Sequence, residues 1–510
     1  MSARDKLALV SILGLLSGCA TSSLNLAPAA PDVPWTPATA SDGEIVAGTP
    51  APADARRSDA YVLPSNPKAA REAPLPTGLN SFHSYTLAEL IDLAQSHNPL
   101  TRVAWQNARD AALATGIAKT AYLPSLTASV VGAYQTGSNR MTAYGTQESL
   151  NGSLHGSISA VSLQWLLFDF GERAAVVSAA EQVSVIANIG FTAAHQQLIY
   201  QVALAYYAHI AAQARLATAA KALQNAKEVQ AAAEARRAHG VGTIVEVAQA
   251  RQATAQAELA QVQASGQAQD SQVALLAAMG ISPLTQIKVA GVEQRNLSAA
   301  LTGPVEQIVQ EALARRSDVL SAYAAHEASL ARLRAAKAEF MPKFFLSATG
   351  SYASNTLDVS TLPGPGSAPT FNLPGTRSAA TVLLGVTMPI YDGGLRRAQQ
   401  AQARADVART DARLEETRDE ATREIVGAAN RLRTSLSAIE AADALASAAQ
   451  ITFDAALDAY RNGVGSITDT TRAEIALLEA QNTSTDAHSA ALSSAAMLAL
   501  AAGTLGTAPE

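Results

Sequence analysis

Residues 237–251 read RAHGVGTIVEVAQAR. Gly240 suits the left-handed position that ends a helix. Thr243 supplies an N-cap oxygen, and Glu246 three residues on completes a capping box that restarts the chain as helix. The stretch predicts a tight reversal between two helices. The same device returns at residues 460–475 as YRNGVGSITDTTRAEI, with Gly463-Val464-Gly465 in place of Gly240-Val241-Gly242 and Ser466 in place of Thr243. The two copies are 223 residues apart.

Working outward, no proline interrupts residues 172–239 before the first turn, and the return helix is expected over 243–279, closing at Gly280 before Pro283. The counterparts are 393–462 and 466–502, closing at Gly503. At 1.5 Å per residue the longer helices reach about 100 Å, too long for a globular core and suited to a coiled coil or a helical wall. Val177, Val185, Ile186, Ile189, Leu198, Val202 and Ile210 supply the first buried stripe.

Each pair of long helices is preceded by period-two alternation, which predicts strands over 124–135, 153–168, 343–354 and 378–390. Leu126, Ala128, Val130 and Tyr134 oppose Ser125, Thr127 and Ser129, whereas Leu154, Ile158 and Ala160 oppose Ser157 and Ser159. Polar Gly-, Ser- or Pro-rich segments at 136–152 and 353–376 read as loops. Each strand is long enough to cross a bilayer when tilted, and one-sided burial in a soluble sheet gives the same pattern. Shorter helices lead each half: TLAELIDLAQSHNP at 86–99, with Thr86 and Glu89 in capping-box register, then about 100–122; their match begins at 303–319. Met341-Pro342 answers Leu123-Pro124, and Asp392 answers Asp169. The chain is a tandem duplication, 85–290 and 303–505, of mainly helical repeats that each add two strands.

Composition narrows the function. The net charge of −6, with acids and bases mixed, leaves no basic footprint for nucleic acid. The lone cysteine, Cys19, excludes an intrachain disulfide framework. Arg4 and Lys6, the apolar run Leu7–Leu16 and the ending Leu16-Ser17-Gly18-Cys19 form a secretory signal over 1–18. Its close resembles a bacterial lipobox, which would make Cys19 the acylated (palmitate-bearing) first residue of the mature chain, and Ala20 after it favours the outer membrane. Residues 19–84, rich in proline, read as a lipid-anchored tether. No later run reaches about 18 consecutive apolar residues, so a membrane would be crossed by strands. Four strands cannot close a transmembrane barrel and open edges are not tolerated in lipid, so several chains must share one. Three would give twelve strands above a ring of helices. The eight histidines show no metal-ligand spacing, and no nucleophile triad or phosphate-binding loop is visible, so neither an enzyme nor a cofactor is expected.

With its duplicated leading helices, Leu123-Pro124 and Met341-Pro342 strand starts, Asp169 and Asp392 junctions and paired Gly-Val-Gly turns, the chain from about 80 to 505 resembles the TolC-like outer-membrane efflux family. The resemblance implies a homotrimer: a twelve-stranded outer-membrane β-barrel continuing into a periplasmic α-helical barrel. It implies a periplasmic adaptor docking at the tips Gly240, Val241, Gly242, Gly463, Val464 and Gly465, and a proton-driven or ABC inner-membrane pump supplying the energy. Asp469 matches the first of the acids that ring the family's aperture, and Glu246 is its counterpart in the first repeat. Arg472 stands where a second acid is expected, which departs from a double ring. Glu246 and Asp469 also occupy the capping-box slot, a structural role that competes with gating. The expected function is a passive exit duct for small solutes or drugs. Type I protein secretion uses the same duct, and a pore-free periplasmic scaffold lipoprotein is the alternative of another class.

Overall fold

The computed structural model describes residues 79–80, 82–143, 146–291, 304–361 and 371–506 with scattered positions between 26 and 70; of side chains at 138–152 and 356–374 nothing is described. Cys19, the signal segment and much of the tether lie outside the described residues. The chain divides into two units, Met1–Thr77 and Gly78–Glu510. In the first, Thr39 and Ile45 form an isolated antiparallel bridge, and Lys68 pairs with Asp42 (3.1 Å) and with Glu44.

The second unit carries the repeats. In the first repeat β1 (Ser84–Tyr85), α1 (Leu87–His97), α2 (Pro99–Thr120), β2 (Ser125–Ala143), β3 (Thr146–Phe168), α3 (Glu172–Ala238), α4 (Ile244–Met279) and β4 (Lys288–Val289) follow in order. In the second come α5 (Val305–Leu313), α6 (Ser317–Ala338), β5 (Lys343–Thr361), β6 (Phe371–Thr387), α7 (Leu395–Arg461) and α8 (Ile467–Ala501). The long helices fall within two residues of expectation. The strands do not: much of the expected loops at 136–152 and 353–376 is ladder, with Ala143 paired to Thr146 and Val359 to Phe371. Backbone hydrogen bonds continue a hairpin whatever its side chains, so polar composition does not mark a break in the strand. A span needs about 9 to 11 residues, and strands of 17 to 23 extend well past that.

The four long strands form one antiparallel sheet, β2-β3-β5-β6. Its register aligns Leu126, Leu163, Ala348 and Val382 on one face, with Trp165, Leu346 and Leu384 in the adjoining row. The opposite face carries Ser125, Gln164, Ser347 and Leu383, then Thr127, Ser162, Thr349 and Thr381. One face is apolar and the other mainly polar, the pattern of a lipid-facing and lumen-facing wall. Leu154, Ile158 and Ala160 fall on the polar face, so the alternation of β3 changes sense near Val161. Gly385 lies beneath the Phe345 ring, where a Cβ would come within 2.5 Å of Cζ.

Below the sheet, α4 and α2 stack end to end, as do α8 and α6. At the first splice Asn98 accepts from Leu100 N–H (2.9 Å) and donates through Nδ2 to the Ala278 carbonyl at the end of α4 (3.1 Å). At the second the matching residue is Arg316, which donates to the Ala501 carbonyl (3.0 Å), to both Asp318 oxygens (3.0 and 2.6 Å) and to Glu424 (2.6 Å). Each side chain satisfies carbonyls that a helix end leaves unpaired. The α4/α2 column packs on α3, α3 on the α8/α6 column, and that column on α7. Small α1 caps the first splice through Leu90 and Ala94 against Leu198, Val202 and Met279, and α5 caps the second through Ala312 against Ile425, Leu432 and Leu498. One window of α3 is apolar enough by length and composition to cross a bilayer, although it holds no run of 18 consecutive apolar residues. Asn188, His195, Gln196 and Gln197 punctuate that helix, which serves as wall.

Sheet and wall are joined by a repeated device. Asp169 accepts from Arg173 N–H (2.9 Å) and Nε (2.8 Å), and the guanidinium reaches the Ala121 and Leu166 carbonyls and covers the Tyr122 ring. Asp392 does the same with Arg396 (3.1 and 2.5 Å), which covers Phe340. The residue after each aspartate is left-handed: Gly393 at φ 68° in the second repeat, but Phe170 at φ 53° in the first. A phenylalanine there is strained. Its ring packs edge-on against Phe168 (4.7 Å), beside Phe344.

Candidate docking site at the hairpin tips

Both turns close as Schellman motifs. Gly240 N–H donates to Arg237 and Val241 N–H to Arg236, while Gly463 donates to Tyr460 and Val464 to Ala459. Gly240 (φ 77°) and Gly463 (φ 78°) take the left-handed position. Gly242 and Gly465 are required for space instead, since a Cβ would come within 2.9 Å of Arg237 N and 3.0 Å of Ala459 Cβ. The valines between them point outward, Val241 67% and Val464 84% exposed.

The restarts differ. Thr243 and Glu246 form the full capping box (3.2 and 3.2 Å). Ser466 accepts from Asp469 N–H (3.1 Å) and donates to its carboxylate (2.7 Å), but the shorter aspartate does not return to the Ser466 backbone, so that box stays open. Asp469 is exposed and 3.6 Å from Arg472. The acid and its neighbour thus sit as a pair on the second tip, and Glu246 on the first.

Two residues outside those expectations tie the tips together. Arg236 donates to the Tyr460 carbonyl (3.0 Å) and lies over its ring. Tyr460 is fully buried in a cluster drawn from all four long helices, with Val229, Val247, Phe453, Ile467 and Leu477. Burial pushes its phenol upward, Glu246 adds to the rise, and Arg236 partly offsets it. Tyr460 opens the second turn motif and Arg236 immediately precedes the first, yet only tertiary packing shows that they meet. Beside them a groove of about 580 Å³ runs between the tips, lined by Ala232, Arg236, His239, Val241, Arg461 and Gly463 among others. Its cations include Arg461, which reaches Glu228 (3.1 Å).

A duplicated hairpin ending in paired tips beneath a four-stranded open sheet is matched by the outer membrane efflux protein model over residues 90–281 and 308–504. The chain belongs to this family. The Bordetella pertussis protein CyaE is 28% identical over 352 residues, 68% of this chain and 68% of that one. The Pseudomonas aeruginosa outer membrane protein OprJ is 26% identical over 380 residues, 74% and 75% of the two chains. Among solved structures, the outer membrane protein VceC of Vibrio cholerae superposes with a TM-score of 0.66 at 22% identity, over 82% of this chain and 96% of that one. The family's members are passive trimeric outer-membrane channels, not enzymes, and work with adaptor proteins and inner-membrane pumps. The fold is therefore one third of a twelve-stranded barrel and its helical extension, in the outer membrane. Among the described residues the outer edges of β2 and β6 carry no partner strand, as a barrel shared between copies requires.

Proposed function

We propose that this chain is the exit duct of a tripartite export system, carrying small solutes or drugs from a periplasm-spanning pump to the exterior. A periplasmic adaptor docks on the Gly240–Gly242 and Gly463–Gly465 tips, a proton-driven or ABC inner-membrane pump supplies the energy, and acylated Cys19 anchors the mature chain to outer-membrane lipid. The observation that carries the docking reading is the pair of exposed valines, Val241 and Val464, held outward on glycine turns where the adjacent backbone is open to a partner helix. Arg236, His239 and Arg461 line the groove behind them and supply donors. Asp469, paired with Arg472, is proposed for the aperture rim.

The test is a strain carrying Val241→Asp and Val464→Asp. Trimer level in the outer membrane stays unchanged, while drug susceptibility rises to that of the deletion strain and cross-linking to the adaptor is lost. Wild-type resistance in the double variant removes the docking site. If deletion leaves susceptibility unchanged and a protein vanishes from the culture medium, the duct serves type I secretion instead.

A further inference from the structure

Two carboxylates are buried among the described residues. Asp169 is held by Arg173, whereas Glu474, 6% exposed, has no hydrogen bond or ion pair with any described residue. It projects from α8 two turns above the second tip, between Thr470 and Leu477, which are also buried. The contacts Ser489–Tyr207 and Arg215–Asp486 fix the antiparallel register of α8 on α3, and that register brings buried Asn225 and Ala226 level with Glu474. Thr470 bonded to the Ala456 carbonyl (3.2 Å) fixes α8 on α7 and brings Phe453 to the same height. The position 223 residues earlier is Arg251, which is exposed and paired with Glu234. A carboxyl thus lies at the seam where the second hairpin leans on the first.

The charged groups of the neighbouring elements do not compensate it. On α3, Glu228 is taken by Arg461 of α7 and Glu234 by Arg251 of α4, and Lys227 is exposed. On α7, Asp454 accepts from Gln450 and Asp458 is exposed. On α4, Glu246 caps its own helix. On α8, Asp469 pairs with Arg472 and Glu479 is exposed.

We propose that Glu474 is a proton-binding switch: the packed tip holds its carboxyl neutral, and ionisation drives α8 away from α3 and parts the two hairpins. A buried, unpaired carboxylate is costly, so the charged form must reach water. Burial pushes the group to about 7 from its ordinary 4.5. The raised value sets the sign: packing is fully stabilised below 4.5, and that stabilisation is lost as pH rises through about 7. Acid closes the tip and alkali loosens it. The switch would regulate the duct proposed above, but its test reads the tips directly.

Spin labels on Val241→Cys and Val464→Cys, in full-length chains carrying Cys19→Ser and diluted with unlabelled chains, report the distance between tips across about pH 5 to about pH 9. The distance should lengthen with a midpoint near 7, and Glu474→Gln and Glu474→Leu should hold the short distance throughout. An unchanged distance in the parent, or the same transition in both variants, overturns the switch. Conductance of the same trimers is read separately: movement of the tips without ion flow upholds the switch and removes the duct.

Discussion

Residues 182–214 of α3 contain no Asp, Glu, Lys or Arg, whereas the matching residues 405–437 of α7 contain thirteen, from Asp406 to Arg433. Six of those charges pair along their own helix, Asp406 with Arg409, Arg413 with Glu416 (2.5 Å) and Glu420 with Arg423. The splices diverge the same way, Asn98 against Arg316, and so do the strand-to-helix corners, Phe170 against Gly393. What the copies share is backbone punctuation: the left-handed turns, the junction aspartates and the terminal glycines. Duplicated hairpins can exchange neutral for ionic side chains freely where the backbone geometry is held by glycine and by caps, because the fold asks each position for a hydrogen-bond pattern rather than a particular residue.

The sharpest way to break the comparison is at the splices. Arg316→Met leaves the Ala501 carbonyl, Asp318 and Glu424 without their donor. With Arg316 buried and its acids half-exposed, the loss should be about 2–3 kcal/mol. Asn98→Ala removes one neutral cap and one cross-splice bond and should cost about 1–2 kcal/mol. Heat-dissociation midpoints of purified trimers rank the two, and equal shifts would show that the charges contribute nothing beyond capping.

The tips give a smaller contrast. Gly240→Ala meets open space and should cost about 1 kcal/mol for its left-handed backbone. Gly463→Ala carries the same backbone term, and its Cβ lies 3.0 Å from the Arg236 guanidinium, so it should also dislodge that group from Tyr460. We expect the second variant to melt earlier and to become more sensitive to protease at the tips. The reverse order would remove Arg236 from the account.

The junctions give the smallest effect and one that depends on pH. Arg396, through its side chain and then its N–H, holds Asp392 down at about 2. At Asp169 burial opposes the shift, and the bonds from Arg173 still carry it below the usual value. A depressed carboxyl stabilises the fold above its ordinary value of 3.8 and loses that contribution as pH falls through about 2. Asp392→Asn should therefore flatten the acid side of a melting-versus-pH curve while leaving little change in its shape above about pH 5. A variant that melts in parallel with the parent down to acid would dissociate the junction from the pH response.

The helices, their reversals and the starts of β2 and β5 were legible because glycine, proline and capping residues announce themselves locally. Gly240 with Thr243 and Glu246 needs no distant partner to declare a turn. The extension of β2 and β3 through polar residues was not legible, since ladder bonds ignore side-chain polarity. Nor was the face of Ile158, where alternation changes sense within one strand. The open box at Ser466 turns on one missing methylene in Asp469. Asn98 meets Ala278, and Arg236 meets Tyr460, only after the long hairpins fold back, so no window of sequence contains either pair. Arg472 and Glu246 were found as tip residues, while Glu474 shows itself only through burial.

The two raw edges of the sheet have a consequence for supply. A lone protomer offers the bilayer unpaired strands on both sides, so insertion is worthwhile only for the closed set. Where protomers are scarce, the amount of finished duct then follows the cube of their concentration. Modest changes in synthesis or in export of the precursor become steep changes in how many pores a cell possesses, without any dedicated regulator.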